Sequence, residues 1–241
     1  MSVKNYLVYS LYNIKPSDYN GVYEATAEVA ARQYDEYRAM YELSKASFEK
    51  NLNCLDDVVL FSGEDTHIQN VFRGDAFRIY DMWKNEPCNI LFCGLDTLCI
   101  KETDIFDRFD DFMMFNYTEA GPKLENGMPA PVFGFDHYFN AHVRYYPHTM
   151  SSNTWDIGMS MVNNWDYSEW GMEQHILNSM LWSQDVTFND AYRPELAWQG
   201  IWDADKNGGV DIEDANIIHF HATRGAESVL DRMRRMSESI V

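Results

Sequence analysis

The chain has 241 residues, 46% hydrophobic and 15% aromatic, which excludes a disordered segment and fits one large domain. It carries 19 Lys and Arg against 38 Asp and Glu, a formal charge of −19. A field of that sign repels phosphate backbones and anionic headgroups, so neither a nucleic-acid nor a membrane partner is expected.

Residues 5–12 (NYLVYSLY) are β-branched and aromatic and predict a buried strand. From residue 20 to about 50 the chain is Ala- and Glu-rich, with apolar residues at helical spacing, and predicts a long amphipathic helix. Residues 57–63 (DVVLFSG) predict a second strand, 70–84 a second helix, and 89–93 (NILFC) a third strand stopped by Gly94. Strands alternating with helices at this spacing mean parallel crossovers and an α/β sheet. Residues 119–132 hold three of the seven prolines and predict a loop. Beyond it, 142–146 and 157–162 read as strands, 170–184 as a helix, 216–221 as a strand and the segment from 226 as a helical tail. The longest apolar run, 90–100, is broken by Asp96 and falls short of the about 20 residues a bilayer span needs. The start does not read as a signal peptide. Cys54, Cys88, Cys93 and Cys99 follow neither a paired framework nor a zinc spacing. A cytoplasmic location is the expectation.

Four segments carry candidate chemistry. Asp96, in LFCGLDT, lies just past a predicted parallel strand, where α/β sheets bind ligands; its carboxylate suits a divalent cation held against a diphosphate, or else caps a turn. His219 and His221, in IIHFHATR, share one strand face, and Arg224 follows with a fork that matches phosphate; the other reading is a pair of half-buried histidines. Asp156 precedes Gly158 and an apolar strand, a rim where backbone approaches a ligand, or an edge bulge. Glu173 and Gln174 open a helix, where the dipole is positive: sites for sugar hydroxyls, or residues that favour the helix start.

Together and in this order, the four segments resemble the GT-A glycosyltransferases that use nucleotide sugars, most nearly the retaining family of glycogenin and the lipooligosaccharide galactosyltransferases. That family carries D-x-D-T after its third strand, then N-[AS]-G, D-Q-D-[IL]-L-N on a helix, and a late H-[FY]-x-G-x-x-K. Here these read Gly94-Leu95-Asp96-Thr97, Asp156-Ile157-Gly158, Glu173-Gln174-His175-Ile176-Leu177-Asn178 and His219 to Gly225. The resemblance implies a GT-A-like α/β fold with a mixed, mainly parallel sheet flanked by helices. Residues 1–100 would form the nucleotide-binding half and 101–241 the acceptor half of one domain. It implies that Asp96 and His219 hold Mn²⁺ or Mg²⁺, and that Tyr9, Ser10, Leu11, Tyr12, Arg78, Leu95 and Arg224 contact the nucleotide sugar. Asp156, Glu173 and Gln174 would then position the sugar as the catalytic group. The implied activity is transfer of a hexose from UDP-glucose or UDP-galactose to an acceptor hydroxyl of a glycan or small molecule, with retention and slow donor hydrolysis. Gly94 replaces the first Asp of D-x-D, Ala222 the late motif's glycine, and His175 the last Asp of D-Q-D.

Residues 203–214 (DADKNGGVDIED) also fit a calcium loop. Asp203, Asp205, Asn207, Asp211 and Asp214 fall at the first, third, fifth, ninth and twelfth positions, with Gly208 at the sharp turn. Ca²⁺ there is the expectation behind the alternative function, a non-catalytic carbohydrate- or protein-interaction module. A sugar nucleotidyltransferase fits less well, because SLYNIKPSDYNG lacks a Gly-rich basic loop.

Overall fold

The computed structural model describes residues 2–14, 27–66, 68–116, 138–164, 172–200, 203–220 and 227–239. The predicted loop at 119–132 and the candidates His221 and Arg224 lie outside them.

The first half alternates as expected: β1 (Lys4–Ile14), α1 (Ala27–Asn51), β2 (Asp57–Thr66), α2 (Ile68–Asn85) and β3 (Cys88–Cys93). β1 lies between β2 and β3 and pairs with both in parallel. Successive strand residues face opposite sides. Tyr9 accordingly meets Tyr41 and Ser44 of α1, whereas Ser10 and Tyr12 meet Asp75 of α2. The two helices therefore cover opposite faces. Covered on both sides, β3 is buried at every position, which is why it reads as an unbroken apolar run.

The sheet continues antiparallel through β6 (Val143–Tyr146) to β5 (Met113–Met114), giving the order β2-β1-β3-β6-β5. A smaller sheet joins β4 (Thr97–Cys99), β8 (Ile217–His219) and β7 (Trp198–Gln199), with β8 in the middle. The buried apolar residues form two clusters. The larger surrounds β3 and β6; the smaller contains Met40 of α1, Leu98, Ile218, and Leu230 and Met233 of α6 (Val229–Ser239). Residues 94–96 connect the two sheets, and Leu95 packs against both cores. The fold is thus α/β with a mixed sheet flanked by helices. Among the described residues no helix is long and apolar enough to cross a membrane.

One element differs in kind. Residues 157–162, expected as a strand, lie in α3 (Ser152–Asn164). Ile157, Met159 and Met161 alternate and mimic a strand, yet the buried set is Thr154, Trp155, Gly158 and Val162, a helical stripe. Trp155 fixes it, stacking on Tyr146 at 5.2 Å and meeting Tyr80 and Trp83 of α2. Gly158 is therefore not a strand rim. It is the point where α3 approaches Met180 of α4 (Met172–Trp182).

Residues 203–214 form turns around a short 3-10 segment, with Gly208 at a positive φ of 65°. Asn207 turns inward and is buried. Its Oδ1 accepts from the Gln199 N–H at 2.9 Å, and its Nδ2 donates to the Gln199 and Asp203 carbonyls. The amide expected to face a calcium ion is thus used to hold β7, while Asp203, Asp205, Asp211 and Asp214 are exposed.

Candidate active site

At the carboxyl end of β3 the chain makes a tight turn. The Gly94 N–H donates to the His142 carbonyl at 2.7 Å, and the Thr97 hydroxyl donates back to the Gly94 carbonyl at 2.7 Å. Below the turn runs a buried hydroxyl chain, Thr97 to Ser44 at 3.2 Å and Ser44 to Tyr9 at 2.8 Å. The Asp96 carbonyl accepts from the Phe220 N–H at 2.7 Å, locking the turn to the end of β8. Asp96 is thereby pinned from three sides.

Its carboxylate faces two imidazoles. Oδ2 lies 3.3 Å from His219 Nε2, and Oδ1 lies 3.6 Å from His142 Nδ1. The two rings stack with centroids 4.1 Å apart, and one ligand atom from each residue lies within 4.8 Å of the others. His219 is buried; its Nδ1–H donates to Gln199 Oε1 at 2.9 Å, which aims Nε2 at Asp96. Desolvation pushes the Asp96 carboxyl up, but His219 and His142 outweigh it and hold the group well below the usual carboxylate range. Desolvation likewise pulls His142 down, and the Asp96 carboxylate reverses that and raises it.

The helix candidates reach the same place from α4. Gln174 Oε1 accepts from the Ala141 N–H at 3.1 Å, beside His142. Glu173 pairs with Arg144 at 2.6 Å. Arg144 is buried with its guanidinium 3.8 Å over the Phe92 ring, and also donates to the Ala141 carbonyl. The field of Arg144 extends to Asp75, a buried carboxylate that accepts from Ser10 and, at 2.6 Å, from Tyr12. Burial raises the Asp75 carboxyl to about 6, with those two hydroxyls and Arg144 opposing. Arg78 donates to the Tyr12 hydroxyl at 2.7 Å and lies over the Phe61 ring.

The structure thus brings together Asp96, His219, Glu173 and Gln174, three of the four segments singled out by sequence. Ser10, Tyr12 and Arg78 form an adjoining polar group around Asp75. Tyr9 and Leu11 face the other side of β1 and are buried; Tyr9 supports the Asp96 turn from below. Leu95 is half-buried at the junction of the cores. Asp156 is exposed on α3, and no described contact joins it to the others.

Sequence reasoning passes over His142, Asp75, Arg144 and Gln199. Each belongs to no motif; only Asp75 leaves a trace, three residues before Arg78 on one helix face.

No protein-family model matches the chain, and no curated protein sequence does. Among solved structures, its backbone is similar to the crystal structure of a glycosyltransferase involved in glycosylation of the major capsid of PBCV-1. The TM-score is 0.51 at 11% identity, over 98% of this chain and 99% of the other. At that identity the likeness establishes a glycosyltransferase-like fold.

Proposed function

We propose that this protein is a glycosyltransferase that moves a hexose from a nucleotide diphosphate sugar, UDP-glucose or UDP-galactose, to a hydroxyl of a glycan or small molecule. One observation carries the reading: Asp96 and His219, from distant parts of the sequence, meet at 3.3 Å at the ends of β3 and β8, beside Gln174 and Glu173. Strand carboxyl ends in open α/β sheets are where ligands bind. The fold shared with a known glycosyltransferase supports the same class.

The donor atoms fit a divalent cation. An ionised carboxylate and an imidazole whose other nitrogen is tied to Gln199 are the ligand types and outer support such ions use. Asp96 and His219 would hold Mn²⁺ or Mg²⁺, which neutralises charge on a departing diphosphate. The chain's own residues do the rest. Arg78 supplies positive charge at the end of β1, where the nucleotide would lie. Gln174 and Glu173 approach the sugar from α4, with Arg144 fixing the Glu173 carboxylate. Arg224 would add a phosphate contact, and Asp156 a contact to the sugar. Retention follows from the family resemblance.

The calcium-module alternative has no comparable convergence, because Asn207 spends its amide on β7. Titration calorimetry of UDP with Mn²⁺ and with chelator tests the proposal. Mn²⁺-dependent UDP binding is expected, with at least a 100-fold loss in Asp96→Ala. UDP binding indifferent to both metal and Asp96 would overturn it.

A further inference from the structure

Position 94 is glycine for reasons of space. Its φ is not positive, so the backbone does not demand glycine. A Cβ there would lie 2.7 Å from Asp96 Oδ1 and 2.9 Å from His142 Nδ1. Both neighbours are ligand-type atoms, and the missing side chain is what allows them to approach.

His142 is held for the purpose from several directions. Its N–H donates to Asn140 Oδ1 at 2.9 Å, and its carbonyl accepts from Gly94. Gln174 grips the preceding residue through the Ala141 N–H. Its ring rests on His219, itself fixed by Gln199. The ring's outer side stays open, with 44% of the side chain exposed, so a cation between the three residues keeps room for other ligands.

We propose that His142 is a third protein ligand of the divalent cation, seated in the space that a side chain at position 94 would occupy, and that it sets the metal preference of the site. This rests on the metal-site reading above. Two imidazoles and one carboxylate favour Mn²⁺, Co²⁺ or Zn²⁺ over Mg²⁺ and Ca²⁺, whose hard ions prefer oxygen. The cation is gripped from the turn after β3, from the residue before β6 and from β8, so its position is set by both sheets.

The test is titration calorimetry of the full chain with Mn²⁺, Co²⁺ and Mg²⁺, paired with pulsed electron-spin measurements that count imidazole nitrogens on bound Mn²⁺. The parent should show two imidazole nitrogens and bind Co²⁺ at least 100-fold more tightly than Mg²⁺. His142→Ala should leave one nitrogen and lose tenfold or more in Mn²⁺ affinity. Gly94→Asp alone should also lose affinity, because it crowds His142. Gly94→Asp with His142→Ala should regain Mn²⁺ binding to within a few-fold of the parent, with Co²⁺ selectivity reduced, since a carboxylate then fills the same space. One nitrogen in the parent, or unchanged Mn²⁺ affinity in His142→Ala while Asp96→Ala abolishes binding, overturns the role of His142 and leaves the metal site standing. Failure of the parent to bind any of the three cations, with or without UDP, overturns the metal site itself.

Discussion

Asp75 holds its proton to about 6 in the folded protein, against 3.8 for the ordinary side chain. Between those values the folded state binds the extra proton, so the contribution to stability is fully present below about 3.8 and is lost as pH rises through about 6. The difference corresponds to about 3 kcal/mol. Asp75→Asn removes the buried charge and keeps groups that hydrogen-bond Ser10 and Tyr12. Its unfolding free energy from urea titration should exceed the parent's at pH 7.5 by about 1–3 kcal/mol, and the gap should close by pH 4. An equal difference at both values would mean that the charge is not the cause. Gln199 acts at the same scale through one hydrogen bond. Gln199→Leu frees His219 to rotate or change tautomer, and Mn²⁺ affinity measured calorimetrically should fall roughly 10- to 100-fold with the melting temperature little changed.

At the scale of elements, α3 meets α4 where Gly158 faces Met180. A Cβ at 158 would come within 2.9 Å of Met180 Cγ. Gly158→Leu should therefore destabilise the fold by about 1–3 kcal/mol in urea titrations. Met180→Ala should recover part of the loss, because the thioether is the atom group in the way. This helix also marks where sequence reading failed. Ile157, Met159 and Met161 alternate, and a short window of alternation outweighed a longer helical stripe fixed by Trp155. The elements of the first half were legible because β1 and β3 are dense apolar strands and α1 and α2 are long. β4, β5 and β7 are two or three residues each, too short to leave a period. The site followed the same division. Asp96 and His219 lie at strand ends and were legible. His142, also beside a strand end, had no neighbouring motif, and only the third dimension puts it against Gly94. Asn207 shows what a loop pattern leaves out: the letters fit calcium, and the folded chain also ties this amide to the Gln199 backbone.

At the scale of the whole molecule, two apolar cores meet along the turn at 94–96, and the candidate ligands are divided between them. Asp96 belongs to the connection, His142 to the larger sheet and His219 to the smaller. α1, β4 and β8 also place residues in both cores: Phe48, Cys99 and Ile217 lie in the larger core, and Met40, Leu98 and Ile218 in the smaller. A protein of this form opens in parts: the smaller core of β4, β8 and α6 is expected to come away from the larger before global unfolding. A cation coordinated from both sides would then act as a removable cross-link. Amide hydrogen exchange with and without Mn²⁺ should show protection gained across β8 and α6 and little change in β1 or β3; uniform gain would mean that the two cores open as one. Loss of the cation would thus loosen the smaller core as well as the site, and the molecule's resistance to proteolysis near its C-terminal helix would report whether the site is loaded.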